Sequence, residues 1–419
     1  MTKILAIQGS DLKKVNIKTD TTILLASEAQ KRGYKIYYFE PENLSFLNGK
    51  VLAFCKHIKI NENKKKYYSL LRNVKFNLEK CKIILIRNDP PFDNRYLYTT
   101  FLLSHISNKV KIINHPFAIR NISEKLFSIN LMRYMPPTLI SENLSEIKSF
   151  FKKHKAVVAK PINGFSGNNV ILMKTFNINK IRKLLKTINF NLEKSKAILI
   201  RNDPPFDNRY LYTTFLLNHI SKKVKIINNP SAVRNVSEKL FSINFMRYMP
   251  PTLISENLNE IRNFFKRYKA VVAKPINGFS GNNVILLKTF NANKIKKLIK
   301  THNHVFFQKF LPGVSKGDKR VFIIKGKIVG AISRVPKKGS ILSNMSKGAL
   351  AKLTKLTKKE VKASKVIGKL LFKNKIYFAG IDFVQEKLIG DINVTSPTGL
   401  AAYKDLSGIN LAKLFWDNI

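Results

Sequence analysis

A lysine at the end of a predicted strand is followed by a glycine-rich loop and a second strand, in the segment Val272-Ala-Lys274-Pro-Ile-Asn-Gly278-Phe279-Ser280-Gly281-Asn-Asn-Val284. Glycines let a backbone approach a polyphosphate closely, so that its amides donate to phosphate oxygens. Lys274 would add a point charge. The pattern GxxxxGKS/T of a P-loop is missing. A phosphate-binding loop and a plain hairpin turn are therefore both open interpretations.

Carboxylate and amide side chains occur on two predicted strands near the C-terminus. Asp382 lies in the first strand, at 377–384, and Asp391 and Asn393 lie in the second, at 388–394, after a turn at Glu386-Lys387. Strand alternation puts Asp391 and Asn393 on one face, and a hairpin would bring Asp382 to the same pocket. Three oxygen ligands suit Mg²⁺ shared with nucleotide phosphates. The alternative is polar residues that simply end a strand.

Between these two groups lie three short polar motifs, Gln308-Lys309-Phe310-Leu311, Gly317-Asp318-Lys-Arg320 and Ser333-Arg334-Val-Pro336. The polar stretch that follows, residues 337–348, contains Asn344. A long polar loop between strands is either a lid that excludes water from a reactive intermediate or an ordinary surface loop.

The elements that must position these residues alternate between strand and helix, which predicts an α/β fold. Strands are predicted at 3–7, 35–38, 82–86, 109–113, 156–159 and 170–173, and helices at 22–32, between 86 and 109, and at 144–153. Thr357-Lys-Lys-Glu360 is a capping box that opens a further helix. In the helix at 144–153, we expect Leu144, Ile147, Phe150 and Phe151 to face the core.

Composition limits the class of protein. The chain has 419 residues and a formal net charge of +51, and 44% of its residues are hydrophobic, which is too apolar for a disordered polycation. It contains no apolar run of about 18 residues and no signal-peptide core at its start. Cys55 and Cys81 alone cannot build a disulfide framework or a cysteine zinc site. We expect a soluble, cytoplasmic protein.

The positive charge is spread over the chain rather than clustered. Lysines far outnumber arginines and occur throughout the predicted helices and loops, without the arginine and aromatic patch typical of nucleic-acid grooves. We therefore do not expect nucleic-acid binding. The charge would still increase the encounter rate with small anionic substrates.

A long internal repeat dominates the sequence. Residues 76–189 recur as residues 190–303, and about 95 of the 114 aligned positions are identical. A solenoid would consist of shorter and more numerous repeats, so this repeat indicates a tandem duplication of one block. Removing either copy leaves an uninterrupted chain of 305 residues.

Further motifs occur in order along the chain: Asn16-Ile-Lys-Thr-Asp20, Arg87-Asn-Asp-Pro-Pro-Phe-Asp93 with its copy at 201–207, Ser237-Glu-Lys239-Leu-Phe241 and Asp391-Ile-Asn-Val-Thr-Ser396-Pro-Thr398. Together with the motifs above, they resemble the prokaryotic glutathione synthetases, a family of ATP-grasp ligases. The resemblance implies a Rossmann-like (pre-ATP-grasp) N-terminal domain followed by an ATP-grasp domain, α/β overall and α+β in the C-terminal part. The duplicated block would be inserted between them.

The resemblance also implies a role for each motif. ATP would be bound through Lys239, Lys274, Gly278, Phe279, Ser280, Gly281, Gln308, Lys309, Phe310, Leu311 and Asp318, with the adenine at 308–311 and the ribose at Asp318. Mg²⁺, or Mn²⁺, would lie at Asp382, Asp391 and Asn393. Arg320 and Arg334 would be the catalytic cations, and Asn393, Ser396 and Thr398 would contact the peptide substrate. The spacing from Asp382 to Asp391 is one residue longer than usual, so we expect the turn to absorb it.

The implied reaction joins γ-glutamylcysteine and glycine through an acyl phosphate, with release of ADP and phosphate. The implied partners are these small substrates, neither a membrane nor nucleic acid, and further copies of the chain in a homo-oligomer. Two alternatives are another ATP-grasp carboxylate–amine ligase and a catalytically impaired product of duplication.

Domain boundaries are expected near Pro116 and again near Pro230. Residues 1–117 would form the N-terminal domain and residues 232–419 the ATP-grasp domain. Residues 118–231 would carry a second front half and a second N-terminal-domain tail, both without partners. The alternative joins 1–189 to 304–419. Because a short tether favours contiguous pairing, our hypothesis is one active site with Lys239 and Lys274, in which Lys125 and Lys160 are idle.

Overall fold

The structure is a computed structural model that describes residues 3–15, 20–61, 66–89, 91–162, 170–177, 195–202, 206–278, 281–337, 339–340 and 342–417. Most of the motif at 16–20 and the predicted site residues Phe279 and Ser280 lie outside the described residues.

The strands of the described chain, β1 to β20 in order, are Ile4–Gly9, Lys35–Phe39, Leu44–Leu47, Lys50–Ile60, Tyr68–Asn77, Ile83–Arg87, Lys111–Ile113, Val157–Ala159, Ile171–Met173, Ala197–Leu199, Lys225–Ile227, Thr252–Ser255, Val271–Pro275, Ile285–Leu287, Val305–Lys309, Asp318–Ile324, Lys327–Val335, Leu350–Leu353, Phe378–Val384 and Lys387–Asn393.

The α-helices of the same residues, α1 to α11, are Thr21–Lys31, Asn94–Ser104, Pro116–Asn121, Leu144–His154, Asn208–Ile220, Pro230–Asn235, Leu258–Tyr268, Ala292–His302, Lys358–Lys373, Leu400–Ser407 and Leu411–Trp416. Short 3₁₀ helices occur at Leu12–Lys14, Pro41–Asn43, Leu78–Lys80, Phe127–Tyr134, Leu240–Tyr248, Pro312–Lys316 and Met345–Lys347.

One large sheet joins the N-terminal part of the chain to the second copy of the repeat. Its order is β14-β13-β15-β12-β3-β4-β2-β1-β6-β7, with β5 paired to β4. Strands β2, β1, β6 and β7 are parallel, and the remaining pairs are antiparallel. The predicted α/β class is therefore confirmed. The long hairpin β4–β5 was not predicted, and a register shift between His57 and Ile58 interrupts the alternation of β4.

A second sheet, with the order β18-β17-β16-β19-β20, is wholly antiparallel and gives the α+β character expected for the C-terminal part. Helix α9 packs on β17 and buries Ile367 and Leu371. Its capping box is confirmed, since Thr357 Oγ1 accepts from Glu360 N at 3.3 Å and Glu360 Oε2 accepts from Thr357 N at 2.8 Å.

The two copies of the repeat are in different environments. In the second copy, β12 pairs with β15 and β3, and α7 buries Ile261 and Phe264 in the adjoining core. In the first copy, residues 138–141 form no strand and α4 has no buried residue. The expectation that 144–153 faces a core is therefore wrong. The physical reason is that β15 occurs once in the chain and pairs with the second copy.

The copies contact each other through equivalent residues. The small cavity between α2 and α5 is lined by Phe92, Asp93, Asn94 and Leu97 and by their counterparts Phe206, Asp207, Asn208 and Leu211. Two contacts occur twice, once in each direction between the copies. Arg120 Nε donates to Asn235 Oδ1 at 3.0 Å, and the equivalent bond runs from Arg234 Nη2 to Asn121 Oδ1 at 3.0 Å. Arg95 Nη2 donates to Glu256 Oε2 at 2.8 Å, and the equivalent bond runs from Arg209 Nη2 to Glu142 Oε2 at 3.0 Å. Self-complementary contacts of this kind are those of a twofold interface.

The tail of the second copy is not without a partner, in contrast to our expectation. Its strands β10 and β11 form a separate parallel pair. The side chain of Ile227, at the end of β11, packs with Phe378 and Phe415. This tail therefore docks on the C-terminal part of the chain.

Candidate active site

A cavity of about 540 Å³ lies between β13 and β15 of the large sheet and β16, β19 and β20 of the second sheet. All the predicted site residues that the structure describes line it: Lys239, Lys274, Gly278, Gly281, Gln308, Lys309, Phe310, Leu311, Asp318, Arg320, Arg334, Asp382, Asp391, Asn393, Ser396 and Thr398. The volume is within the range of small-molecule and cofactor sites.

Two buried lysines form one side of the cavity. Lys239 donates to the carbonyl oxygen of Gly278 in the glycine loop, and its Nζ lies 3.6 Å from Asp391 Oδ1. Lys274, at the end of β13, donates to Ile389 O at 2.7 Å and lies 3.7 Å from Asp391 Oδ2. Burial lowers the pKa of Lys274, although the charge of Asp391 opposes this. Both ammonium groups face a space in which they could bind phosphate oxygens.

The hairpin β19–β20 explains how Asp382 and Asp391 face the same cavity. The turn is tight, since β19 ends at Val384 and β20 starts at Lys387. The register shifts between Ile381 and Phe383, where β20 is longer, and Gly390 adopts a φ of +89°. The expectation that the turn absorbs the extra length is therefore wrong. A bulge absorbs it, because glycine tolerates the left-handed backbone there.

The bulge has a consequence for the lysines. It places the carbonyl of Ile389 where it accepts a bond from Lys274, and it leaves Asp391 partly exposed to the cavity. Ile392 is buried on the other face of β20. Asp391 and Asn393 share the cavity face, as strand alternation predicts.

Four charged side chains form a buried network on β16, β17 and β19. Arg334 donates to Asp318 Oδ1 at 2.7 Å and to Asp382 Oδ2 at 2.8 Å, and Arg320 makes a two-bond pair with Asp382 at 2.8 Å for each bond. Burial opposes ionisation of Asp382, but the two guanidinium groups hold its pKa down at about 2. Asp382 is therefore ionised at neutral pH.

The resemblance implies that Asp318 contacts a ribose and that Arg334 is one of two catalytic cations. Here the two side chains are paired with each other, and that of Arg334 is only 3% exposed. Arg320 is closer to the end of the cavity lined by Thr398, because its Nη1 lies 3.3 Å from Thr398 Oγ1.

The oxygen donors fit a hard divalent cation. Asp382, Asp391 and Asn393 line the same cavity and offer two carboxylates and one amide, which suits Mg²⁺ and leaves positions for nucleotide oxygens. Asn393 Oδ1 already accepts a bond from Ser396 N at 3.0 Å, which fixes its orientation. Among the described residues, no group of three or more His, Cys, Asp or Glu side chains could hold a metal ion by itself.

The described part of the candidate lid lies beside Gly281 of the glycine loop. Leu342, Ser343, Asn344 and Met345 line the cavity. Gly281 has a φ of +72°, and a Cβ added there would lie 2.9 Å from Asn344 Oδ1. Gly281 therefore lies against the candidate lid, and a larger residue there would have a strained backbone and would have to displace the side chain of Asn344.

Sequence reasoning missed Glu238, which lines the cavity beside Lys239. Its backbone oxygen accepts from Ile392 N at 3.0 Å, and its Oε1 accepts from Thr395 Oγ1 at 2.9 Å. Burial raises the pKa of Glu238. Glu238 thus ties the Lys239 segment to the chain that carries Asn393 and Ser396. Glu238 lies inside the motif Ser237-Glu-Lys239, and this position could have identified it as a site residue.

The first copy has no comparable site among its described residues. Lys160, the counterpart of Lys274, is exposed at the end of the isolated hairpin β8–β9. No helix of the described chain has the length and apolar character needed to cross a membrane.

Comparison with known proteins identifies the family of the chain. The family model "Prokaryotic glutathione synthetase, ATP-grasp domain" matches residues 238–408, and "Prokaryotic glutathione synthetase, N-terminal domain" matches residues 4–120 and 155–234. Glutathione synthetase of Brucella melitensis biotype 1 is 36% identical over 55% of this chain and 74% of its own. That of Rhodopseudomonas palustris is 28% identical over 100% and 98%. The solved structure of D-cycloserine synthetase DcsG covers 50% of this chain and 78% of its own, with a TM-score of 0.41 and 14% identity.

The two family models and these relatives span the N-terminal part of the chain and the part that carries the cavity. The expected order of an N-terminal domain followed by an ATP-grasp domain is thereby confirmed. The chain belongs to the prokaryotic glutathione synthetase family and is an ATP-dependent ligase.

Proposed function

We propose that the chain synthesises glutathione from γ-glutamylcysteine and glycine in the cavity around Lys239 and Lys274, with Mg²⁺ and ATP. The observation that carries this proposal is the convergence of every described site residue on one cavity. Those residues come from six strands and from four other segments that are far apart in sequence.

The nucleotide half of the cavity is built for a polyphosphate and an adenine. Lys239, Lys274 and the glycine loop would hold the phosphates, and Phe310 and Leu311, beyond the end of β15, would enclose the base. Gln308 is 3% exposed and donates to Thr252 Oγ1 at 3.1 Å, so its side chain is fixed within the wall. We place the ribose beside Asp318.

Asp382, Asp391 and Asn393 would hold Mg²⁺, which, when bound, neutralises charge on the transferred phosphoryl group. Asp391 is held between the two lysines in this structure. Binding of Mg²⁺ and ATP would give both lysines phosphate partners and release the carboxylate of Asp391 towards the metal. The same residues thus serve as mutual counter-ions before ATP arrives.

The reaction needs no protein nucleophile. An oxygen of the cysteinyl carboxylate attacks the γ-phosphorus, and the bond from that phosphorus to the β–γ bridging oxygen breaks to release ADP. The glycine amine then attacks the acyl carbon, forming the C–N bond as the bond to the phosphate oxygen breaks and the amine loses a proton. Arg320, beside Thr398, would stabilise the negative charge that develops on the acyl phosphate. The lid at 342–345 would exclude water.

We also propose the domain division given above: 1–117, the inserted block 118–231, and 232–419. It is supported by the pairing of β3 with β12, which joins the N-terminal domain to the second copy. A second N-terminal-domain match over 155–234 agrees with a duplicated tail.

The test is ADP release by the purified full-length chain with γ-glutamylcysteine, with and without glycine. We expect release that requires both substrates. ADP release with a different acceptor would show another ATP-grasp ligase, and a panel of amino acids and dipeptides would identify it. Failure to bind Mg-ATP, together with a folded far-UV spectrum, would show an impaired product of duplication and refute the proposal.

A further inference from the structure

Glu238 joins the segment that carries Lys239 to strand β20 and to the connection that follows this strand. The backbone oxygen of Glu238 accepts from Ile392 N at 3.0 Å, and its Oε1 accepts from Thr395 Oγ1 at 2.9 Å. Ile392 lies between the two β20 residues assigned above to Mg²⁺, and Thr395 precedes Ser396, which lines the cavity. One residue therefore links the lysine proposed for phosphate to the residues proposed for the peptide.

The connection between β20 and α10, residues 394–399, forms neither helix nor strand. Backbone groups in such a segment are not held by a hydrogen-bond ladder, so side chains of neighbouring elements fix its position. The side chains that bond to it include those of Asn228, Arg320 and Glu238. Of these three, only Glu238 is next in sequence to a lysine that lines the cavity.

The bond between Glu238 and Thr395 is shielded from water, since Thr395 is only 5% exposed. A hydrogen bond to a charged group contributes more in such surroundings than at the surface. Its partner also differs from those of two other carboxylates that line the cavity. Asp318 and Asp382 are each paired with an arginine, whereas Glu238 accepts its bond from a neutral hydroxyl. The two aspartates therefore neutralise arginines, while the bond of Glu238 fixes a position.

We propose that Glu238 is a positioning residue that couples the binding of ATP to the binding of the peptide substrate. This inference rests on the proposed function. Phosphates bound by Lys239 fix the segment of Glu238, and Glu238 in turn fixes the connection that carries Ser396 and Thr398. Each ligand then binds more tightly when the other is present, and linkage requires the same factor in both directions. Glu238 acts through Lys239 and Thr395.

The test measures this coupling in the full-length chain. Binding of γ-glutamylcysteine would be followed by equilibrium dialysis with and without Mg²⁺ and a non-hydrolysable ATP analogue. For the unmodified chain, we expect the analogue to tighten dipeptide binding about tenfold and the dipeptide to tighten binding of the analogue by the same factor. In Glu238→Ala, both factors should fall below about twofold, and the dipeptide KM of ADP release should rise about tenfold. Binding of the analogue alone should change by less than about threefold, because Lys239 is retained.

Two further variants and a matched control assign the effect to the bond with Thr395. Thr395→Val removes the hydroxyl and keeps the branched shape, so it should reproduce the loss of coupling. Glu238→Gln keeps the accepting Oε1 and should retain most of the coupling. Glu124→Ala alters the identical motif of the first copy, where the side chain is exposed, and should change neither binding nor coupling.

Coupling that survives in Glu238→Ala, or that is lost equally in Glu124→Ala, would overturn the inference, and so would independent binding of the two ligands by the unmodified chain. Equal weakening of each ligand when bound alone would also overturn it, because that result indicates a general loss of structure. A loss in Glu238→Gln as large as that in Glu238→Ala would show that the charge acts rather than the bond, which contradicts the inference. Coupled binding that depends on Glu238 without glycine-dependent ADP release would refute the proposed function alone. Absence of dipeptide binding by the unmodified chain would refute both.

Discussion

Replacing Lys274 with methionine removes the charge at the end of β13 while keeping a long apolar side chain. Lys160→Met makes the same change at the identical position of the first copy. Lys274 is only 7% exposed and faces the cavity, whereas Lys160 is exposed at the end of an isolated hairpin. The two variants therefore separate a contact with substrate from a general effect of lost charge.

The size of the effect follows from the position of Lys274. An ammonium about 4 Å from one phosphate charge contributes about 4 kcal/mol at the effective dielectric constant of a partly buried site. Each 1.4 kcal/mol is a factor of ten, so kcat/KM for ATP should fall by about 10²- to 10³-fold. The free energy of unfolding should change by only about 1 kcal/mol, because the lost bond to Ile389 O is offset by the removal of a buried charge.

The assay is coupled ADP release at several ATP concentrations, with urea unfolding of each variant as the control for folding. Lys160→Met should stay within twofold of the unmodified chain. A larger loss at Lys160 than at Lys274 would refute the assignment of the site to the second copy. Equal partial losses would show that both copies form sites in different molecules.

Three further predictions concern the lid, the buried network and the contact between the copies. Gly281→Ala should raise the KM for ATP about tenfold more than Gly339→Ala. Both glycines have a positive φ, but only at Gly281 would the added methyl group meet a neighbouring side chain, that of Asn344. Equal KM values would show that backbone strain, and not contact with Asn344, causes the effect. The guanidinium groups of Arg320 and Arg334 lower the pKa of Asp382 to about 2, so this residue contributes roughly 2 kcal/mol of stability that is present above pH 4 and lost as the pH falls towards 2. The stability difference between the ligand-free chain and its Asp382→Asn variant should shrink over that range, and a constant difference would contradict the pairing. Glu256→Gln should cost about 3 kcal/mol in urea unfolding and Glu142→Gln less than 1 kcal/mol, because of the two carboxylates only that of Glu256 is buried. Similar costs would argue against this difference in environment.

The local features of the site could be predicted because short-range rules determine them. The capping box at Thr357 needs only two residues three positions apart, and the face shared by Asp391 and Asn393 follows from strand alternation. The bulge at Gly390 could not be predicted in the same way. A turn and a bulge both absorb an extra residue, and only the register of β19 against β20 decides between them. The functional roles of these residues stay predictions.

Long-range features were harder to predict, and α4 shows why. Its apolar stripe is nearly the same as that of α7, yet only α7 is buried. Amphipathicity says that a helix has a face to bury, but it does not say that the chain contains a partner for it. The same holds for Phe127 and Phe241, which are 47% and 8% exposed in identical local sequences.

Two factors determine which copy is buried: the chain has only one C-terminal half, and the two copies are joined to it by connections of different length. Two front halves compete for one C-terminal half, and nearly identical sequences give them nearly equal packing energies. The second copy is joined directly to β15, whereas the first would have to close a loop longer by 114 residues, which costs more conformational entropy. One difference in sequence acts in the same direction. Phe245 is 4% exposed in the core where the first copy has Leu131, so the second copy buries the larger apolar side chain. Exchanging these two residues would weaken that preference but leave the difference in loop length, so the second copy should still form the cavity.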